Sequence, residues 1–440
     1  MATSPQSPPV ADVVSLAVSL HQGGHLNEAE ELYQRALERD PDHVDAQHFL
    51  GVLRHQRGDS EQAVRLIRRA LLGNPAYHGA RNNLGNVLKE SERFDEAEAE
   101  YRCVIQAAPD HADAHNNLGA VLRALKRTDE AIESFRHAIQ VQPRHADAHL
   151  NLGNALKASG QREESLTALR TAVEINPRLS TAHLSLGRAL YVYGRVDEAV
   201  VVYRSWLKTD PDNPIAKHML AACEGNDVPD RCSEDYVRQS FDAFAASFDE
   251  VLQRLDYRAP ALIADALSDL IPNPPGNLQV LDAGCGTGLC GEDLRSYAER
   301  LVGIDLSPKM MVKARSRKVY DELVEAELVA YMSDHPGTFD LIVSADTLIY
   351  FGDLKRAIAA AAESLRTAGT LVFTVESLGE SEAAPAYQLN PHGRYSHRQD
   401  YLCDCIAAAS LRLHEIRPVV LRREVKQPVG GWVVTALKKK

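Results

Sequence analysis

The sequence predicts a two-part chain, an all-helical solenoid followed by an α/β domain on a doubly wound parallel sheet, and three observations carry that prediction. Gly51, Gly85, Gly119, Gly153 and Gly187 stand 34 residues apart, and Pro41, Pro75, Pro109, Pro143, Pro177 and Pro211 keep the same period. Such a period means one small helical unit, repeated and stacked. Residues 280–289 read V-L-D-A-G-C-G-T-G-L, an apolar strand that reaches Asp282 and turns through three glycines into a helix. Residues 301–306, L-V-G-I-D-L, form a second short apolar strand ending in an acid, Asp305.

At 440 residues the chain is too long for one ordinary core. Hydrophobic residues at 45% and charged residues at 25% are the proportions of a soluble globular protein. No apolar run approaches the roughly 18 residues of a membrane helix, and the start, M-A-T-S-P-Q-S-P-P, has neither a basic nor an apolar stretch. A cytoplasmic protein with no membrane partner is expected. A net charge of −12 argues against a general nucleic-acid binder. The seven cysteines lack metal-ligand spacing, so buried thiols and no metal are expected.

Within the first half, the small residues Ala29, Ala63, Ala97, Ala131 and Ala199, with Ser165 in one unit, mark where paired helices touch. Four positions later stand Tyr33, Ile67, Tyr101, Phe135, Leu169 and Tyr203. The pattern resembles the tetratricopeptide repeat, and six units fit between about residues 10 and 213. The first unit has Ala17 in place of the glycine, which suits a terminal cap. One unit cannot bury its own apolar face, so stacking creates a continuous core and a concave groove. The sixth position of successive units reads Phe49, Asn83, Asn117, Asn151 and Ser185. Each stacked asparagine offers one donor and one acceptor to the backbone of an extended peptide. The row resembles the asparagine ladder in the repeats of O-linked N-acetylglucosamine transferase. Asn86 and Asn154, three residues further on, are expected on the same wall. His55, Lys89, Arg123, Lys157 and Tyr191 form either a basic stripe for an acidic partner or a solvated face.

Past Pro211 and Pro214 the repeat fades, and residues 225–231, G-N-D-V-P-D-R, read as a linker. Ser233 reads as the N-cap of a helix with Tyr236, Val237, Phe241, Phe244 and Phe248 at helical spacing. Residues 272–276, P-N-P-P-G, then break the chain before the first strand. Residues 339–345 are expected as the fourth strand, 369–376 as the fifth, 396–409 as a helix, and 411–420 with 432–437 as a closing pair. The stretch 377–395 has no period of its own and is expected as a lid loop over the sheet edge.

The glycine spacing G-x-G-x-G is neither the dinucleotide pattern nor the phosphate loop. The glycine turn and the acid-ending second strand together resemble class I S-adenosylmethionine-dependent methyltransferases, whose domain is Rossmann-like. That resemblance implies S-adenosylmethionine as cofactor, with Asp282, Gly284, Cys285, Gly286 and Gly288 along its methionine and ribose parts. It implies Asp305 on the ribose hydroxyls with Leu306 beside it, Glu327 and Leu328 at the adenine, Asp346 at the carboxyl edge of the sheet, and Tyr236 and Phe241 on a lid helix. The whole chain resembles a group of predicted bacterial methyltransferases carrying N-terminal tetratricopeptide repeats, a group defined by architecture that assigns no substrate. Residues 1–213 are then six repeats, 214–275 linker and lid helices, and 276–440 the methyltransferase domain.

Methyl transfer from a sulfonium is one in-line displacement, so holding the reacting atoms together and excluding water are the main demands on the protein. The fourth strand ends in Asp346-Thr347-Leu348-Ile349, with no Asn-Pro-Pro-aromatic sequence, and this favours an oxygen acceptor. A carboxylate or thiolate acceptor needs no base, whereas a hydroxyl or amine needs one. His397 is expected in that role, with Tyr350 and Tyr395 as positioning groups and Arg394 as a substrate ligand. The expected function is O-methylation of a peptide or protein gripped by Asn83, Asn117, Asn151, Asn86 and Asn154. Two others stay open: a small-molecule methyltransferase whose repeats form a homodimer or dock a carrier, and a scaffold without catalysis.

Overall fold

The computed structural model describes residues 8–226, 228–379, 385–424 and 427–439, and the chain divides into two compact units, Met1–Tyr193 and Gly194–Lys440. The first unit stacks helices in antiparallel pairs: α1 (Val10–Gln22) with α2 (Leu26–Arg39), α3 (Val44–Gln56) with α4 (Ser60–Gly73), α5 (His78–Glu90) with α6 (Phe94–Ala107), α7 (Ala112–Ala124) with α8 (Thr128–Val141), α9 (Ala146–Ala158) with α10 (Arg162–Ile175), and then α11 (Ser180–Val192). The recurring glycine is the hole into which the recurring large residue fits. A Cβ on Gly85 would stand 2.6 Å from the Tyr101 ring, one on Gly119 2.6 Å from Phe135, and one on Gly153 2.6 Å from Leu169. Tyr101, Phe135 and Leu169 are fully buried there, so each pair is locked by shape as well as by burial. The turn inside each pair needs a left-handed residue. Gly24, Gly58 and Gly160 supply it, while Glu92 and Lys126 adopt φ of 59° and 63° at the same place in their units.

The second unit begins with α12 (Val196–Thr209), the helix that the period assigns to the sixth repeat, followed by α13 (Pro214–Glu224). Asn213 caps α13 by accepting the Ala216 N–H at 2.9 Å, and Gly225 ends it at φ 68°. In the expected linker, Asp227 lies outside the described residues. Ser233 accepts the Tyr236 N–H at 3.2 Å and starts α14 (Glu234–Phe244), which leads through α15 (Phe248–Arg254) to α16 (Ala259–Leu270).

A mixed sheet follows, with β1 (Leu278–Ala283), β2 (Ala298–Asp305), β3 (Glu322–Glu325), β4 (Phe339–Ser344) and β5 (Leu365–Ser377) parallel in the order β3-β2-β1-β4-β5. Between these strands lie α17 (Gly291–Arg295), α18 (Pro308–Arg317), α19 (Leu328–Asp334) and α20 (Lys355–Ser364). Successive residues of β1 enter different cores: Val280 packs with Leu262 and Leu294, Leu281 with Ile358 and Leu402. A strand buried on both faces is apolar throughout, which is why the run 280–283 does not alternate. The order reverses between β1 and β4, and the carboxyl ends at that reversal are where such sheets bind ligands.

Three features differ from expectation. The closing strands are longer: β8 (Leu411–Glu424) and β9 (Gln427–Lys438), with β9 antiparallel to β5. The helix α21 (Gln399–Ala408) starts later than expected. The stretch expected as a lid loop folds instead into a hairpin, β6 (Tyr387–Leu389) and β7 (Tyr395–His397), which extends the end of β5 through Glu376 and Ser396, while residues 380–384 lie outside the described residues. Among the described residues, no helix is long and apolar enough to cross a membrane.

Candidate active site

At the end of β1 the Gly284 and Cys285 N–H groups both donate to the Ile304 carbonyl at 2.9 Å, tying the turn to β2. Gly284 has φ 85°, and a Cβ there would stand 2.1 Å from the Thr347 hydroxyl, so this glycine admits the loop after β4. Gly286 has φ 55° and open space where its Cβ would be. Its N–H donates to Asp305 Oδ2 at 2.9 Å, and the Ser307 N–H donates to Oδ1 at 2.8 Å. Two backbone donors thus aim the Asp305 carboxylate along the open face of the turn, while burial pushes its pKa up against them. Gly288 takes φ 84°, and Leu306 follows Asp305 where the chain leaves β2. Behind the turn Asp282 is buried and accepts the Tyr320 hydroxyl at 2.7 Å. Burial, with Asp305 adding to it, pushes Asp282 up to about 7, and Cys285 is buried with its thiol pushed up. These residues fit an adenosyl sulfonium cofactor: Asp305 would hold its ribose hydroxyls and the open face of Gly286 would seat its backbone-facing side.

The segment α14–α15 is hooked to this turn by residues that the sequence reading passed over. Asp242 accepts the Ser307 hydroxyl at 2.6 Å, and Asp249 accepts the Thr287 hydroxyl at 2.5 Å and Arg317 at 2.9 Å. The signal was present, since Asp242 and Asp249 stand two helical turns apart, each directly after a phenylalanine. Of the two expected lid contacts, Phe241 stands edge-on to Tyr350 at 5.4 Å between ring centroids. Tyr236 instead lies against the His218 ring at 4.0 Å, in a cluster with Cys232, Leu389 and Tyr395. Glu327 is committed within the protein: it accepts the Ala330 N–H at 2.8 Å and pairs with Arg231 at 2.9 Å. Leu328 turns into the core.

On the acceptor side the expected base is corrected. His397 is fully buried, its Nε2–H shared between the carbonyls of Phe351 at 2.9 Å and Gly352 at 3.1 Å, and burial pushes it down to about 4. An imidazole closed from the site and held by two carbonyls positions the turn after β4 and takes no proton from a ligand. Tyr395 is corrected likewise, because its hydroxyl donates to the Pro229 carbonyl at 2.5 Å from full burial. Tyr350 does line the edge of the sheet, half-buried beneath Phe241. Arg394 does not present a free guanidinium: it donates to Glu376 at 2.7 Å and to Glu424. Arg422, which the sequence reading left unassigned, sits at the centre, donating to Asp346 and Glu424 at 2.8 Å each and to Glu376. Asp346 belongs to this cluster, with φ 52° in the left-handed region.

In the repeat unit the asparagines are tied sideways. Asn117 donates to Asn82 at 3.3 Å, Asn151 to Asn116 at 2.9 Å, and Asn83 Nδ2 meets His48 Nε2 at 2.9 Å, so each side chain bridges to the preceding repeat. Asn86 accepts the Tyr101 hydroxyl at 2.7 Å, and Asn154 reaches Ser185 at 3.5 Å. All five remain partly exposed. In the stripe, burial lowers Lys89 and Lys157, with Arg188 and Arg123 lowering Lys157 further.

A doubly wound sheet with a glycine turn and a backbone-bonded carboxylate at its switch point has the ligand-binding edge of open α/β folds, here in a chain that also stacks helical hairpins. Residues 281–373 match the family described as Methyltransferase domain, and residues 20–84, 78–144 and 150–214 match Tetratricopeptide repeat. The chain therefore carries tetratricopeptide repeats and a methyltransferase domain. It is 36% identical over 137 residues to Methyltransferase-like protein 27 of Homo sapiens, covering 31% of this chain and 54% of that protein. It is 34% identical over 107 residues to Ubiquinone biosynthesis O-methyltransferase of Thiobacillus denitrificans, covering 23% of this chain and 45% of that protein. The chain thus spans about half the length of these curated relatives. Among solved structures, Pseudomonas aeruginosa pilF is similar at 20% identity with a TM-score of 0.42, over 48% of this chain and 96% of that one.

Proposed function

We propose that this protein transfers a methyl group from S-adenosylmethionine to an oxygen atom of a peptide or protein captured by its repeats. The observation that carries the reading is the open face of Gly286 beside the backbone-aimed Asp305. S-adenosylmethionine supplies an activated methyl group; the protein's part is to hold it, exclude water and set the acceptor in line. Asp242 and Asp249 close α14–α15 over the turn, and the Asp346 cluster faces it from β4. The partly exposed Asn83, Asn117 and Asn151 keep free amide positions for peptide backbone beyond their sideways bonds. A small-molecule acceptor is the second reading, favoured by relatives named for ubiquinone biosynthesis and aklanonic acid.

Asp305→Ala should weaken S-adenosylmethionine binding by roughly ten- to a hundredfold, since a charge-assisted pair of hydrogen bonds is lost. The triple change of Asn83, Asn117 and Asn151 to Ala should leave that affinity unchanged and reduce methyl transfer to peptides at subsaturating concentration by about tenfold or more. Calorimetry and a radiolabel transfer assay read the two effects. Unaltered cofactor affinity in Asp305→Ala defeats the enzymatic reading, and unaltered transfer in the triple variant defeats the peptide part alone.

A further inference from the structure

The cluster at the carboxyl edge of β4 and β5 has a charge and hydrogen-bond inventory that discriminates between acceptors, given the methyl-transfer reading above. Asp346, Glu376 and Glu424 are three carboxylates; Arg394 and Arg422 are two guanidiniums, each already bonded to two or more of those carboxylates. His392 adds no positive charge, because burial and Arg394 push it down to about 4. The cluster is therefore one negative charge in excess, and both arginines are already paired with carboxylates inside it. An incoming carboxylate would be a fourth anion in a half-buried site, losing its hydration where every cation is already paired with a carboxylate.

The groups without a partner among the described residues are of another kind. Tyr257 and Tyr350 are half-buried, and neither hydroxyl has a hydrogen-bond partner among the described residues. Tyr257 is held beside Arg422 by two backbone bonds, Arg258 N–H to the Leu421 carbonyl at 2.8 Å and Arg423 N–H to the Leu255 carbonyl at 2.6 Å. Burial first, and then the nearby Asp346 carboxylate, push its pKa well up. Tyr350 is held by the Cys232 N–H on its carbonyl at 2.8 Å and by the Phe241 edge. Asp346 itself sits in a left-handed conformation, pinned by its N–H on the Thr374 hydroxyl at 2.8 Å and by Arg422, one residue before the threonine that touches Gly284. Strain of this kind persists where surrounding contacts over-determine a functional group.

We propose that this cluster is the acceptor site and that it takes a hydroxyl, gripped by Tyr257 and Tyr350 and deprotonated by the Asp346 carboxylate, to the exclusion of carboxylate acceptors. As the acceptor oxygen bonds to the methyl carbon, the carbon–sulfur bond of the donor breaks with its electron pair left on sulfur. The hydroxyl proton passes to a carboxylate oxygen of Asp346. Arg422 is a positioning residue that keeps that oxygen in place.

The probes are 4-methylphenol and 4-methylbenzoate, matched in size and different in charge, titrated by calorimetry into the full chain saturated with S-adenosylhomocysteine. The phenol should bind at least tenfold more tightly than the benzoate. Tyr257→Phe and Tyr350→Phe should each weaken the phenol by about three- to tenfold while S-adenosylhomocysteine affinity stays within twofold. With S-adenosylmethionine and the phenol, Asp346→Asn should lower kcat by about a hundredfold or more with KM held within threefold, a split that a merely structural role would not produce. If Asp346→Asn does not fold, the two tyrosine variants, each losing a single oxygen, carry the test. Benzoate binding as tightly as phenol, neither probe binding, or both tyrosine variants matching the parent overturns the proposal. Failure of S-adenosylhomocysteine itself to bind overturns the methyl-transfer reading instead.

Discussion

Glu424 and Arg394 share one hydrogen bond yet should act on cofactor binding with opposite signs. Their cluster holds one excess negative charge near the glycine turn, and S-adenosylmethionine is a cation at sulfur whereas its product is a neutral thioether. At an effective dielectric of about 20, and with salt screening, one such charge changes the energy of a nearby cation by about 1 kcal/mol. Glu424→Gln should therefore weaken S-adenosylmethionine by about three- to tenfold relative to S-adenosylhomocysteine, and Arg394→Gln should shift the ratio the other way. Calorimetry with both ligands on both variants checks this, and parallel changes in the two affinities would reduce the cluster to scaffolding. His397 leads to a pH prediction. Burial lowers its pKa from 6.5 to about 4 in the folded chain, so between those values the unfolded chain binds more protons. Stability is full above about 6.5 and declines as pH falls towards 4. His397→Gln should remove up to about 1.4 kcal/mol per pH unit of that decline. Trp206 and Trp432 both lie in the second unit, so tryptophan fluorescence during urea unfolding follows that unit alone. Equal slopes in parent and variant would assign the acid sensitivity to other groups, His392 first among them.

The element that the sequence described least well is the segment α14–α15. Its aromatic stripe is legible at helical spacing, but Asp242 and Asp249 look like the polar face of any helix until the tertiary structure sets Ser307 and Thr287 opposite them. Changing both to Asn removes a charge from each hook. With charge-assisted bonds worth about 1.5–3 kcal/mol apiece, the lid should open more often and S-adenosylmethionine should dissociate about tenfold faster or more. Stopped-flow displacement measures this, and an unchanged dissociation rate would show that these hooks do not gate the site. The hairpin β6–β7 was hidden for a different reason. Its strands are three residues each and exist only because the end of β5 extends past β4 and offers an unpaired edge. No local period of a three-residue strand is long enough to read.

Across the whole molecule, the repeat period and the compact units place one helix differently. The period counts α12 with the repeats, whereas it belongs to the second unit together with α13, where His218 donates from full burial to the Gly393 carbonyl at 2.9 Å and Met219 is 1% exposed. A fragment starting at Gly194 should bind S-adenosylhomocysteine within about threefold of the full chain. One starting at Pro229 loses that hydrogen bond and the buried face of α13, about 2–5 kcal/mol, and should melt about 5–15 °C lower. Calorimetric scans of both fragments decide it, and equal melting temperatures would return α12 and α13 to the repeats. What the sequence determined by itself is what short-range geometry dictates: the 34-residue period, because glycine and its large partner meet in the repeating units, and the glycine turn, because a backbone at φ 85° pressed against the Thr347 side chain has no room for a Cβ. What only the tertiary structure decided is where long-range partners fall. His397 reads as a base in sequence and is a buried strut in space, while Arg422 bonds Asp346, and Tyr257 is brought beside Arg422 because backbone hydrogen bonds join residues 255–258 to 421–423. Burial and charge pairing are properties of neighbours in space, and no spacing along the chain encodes them.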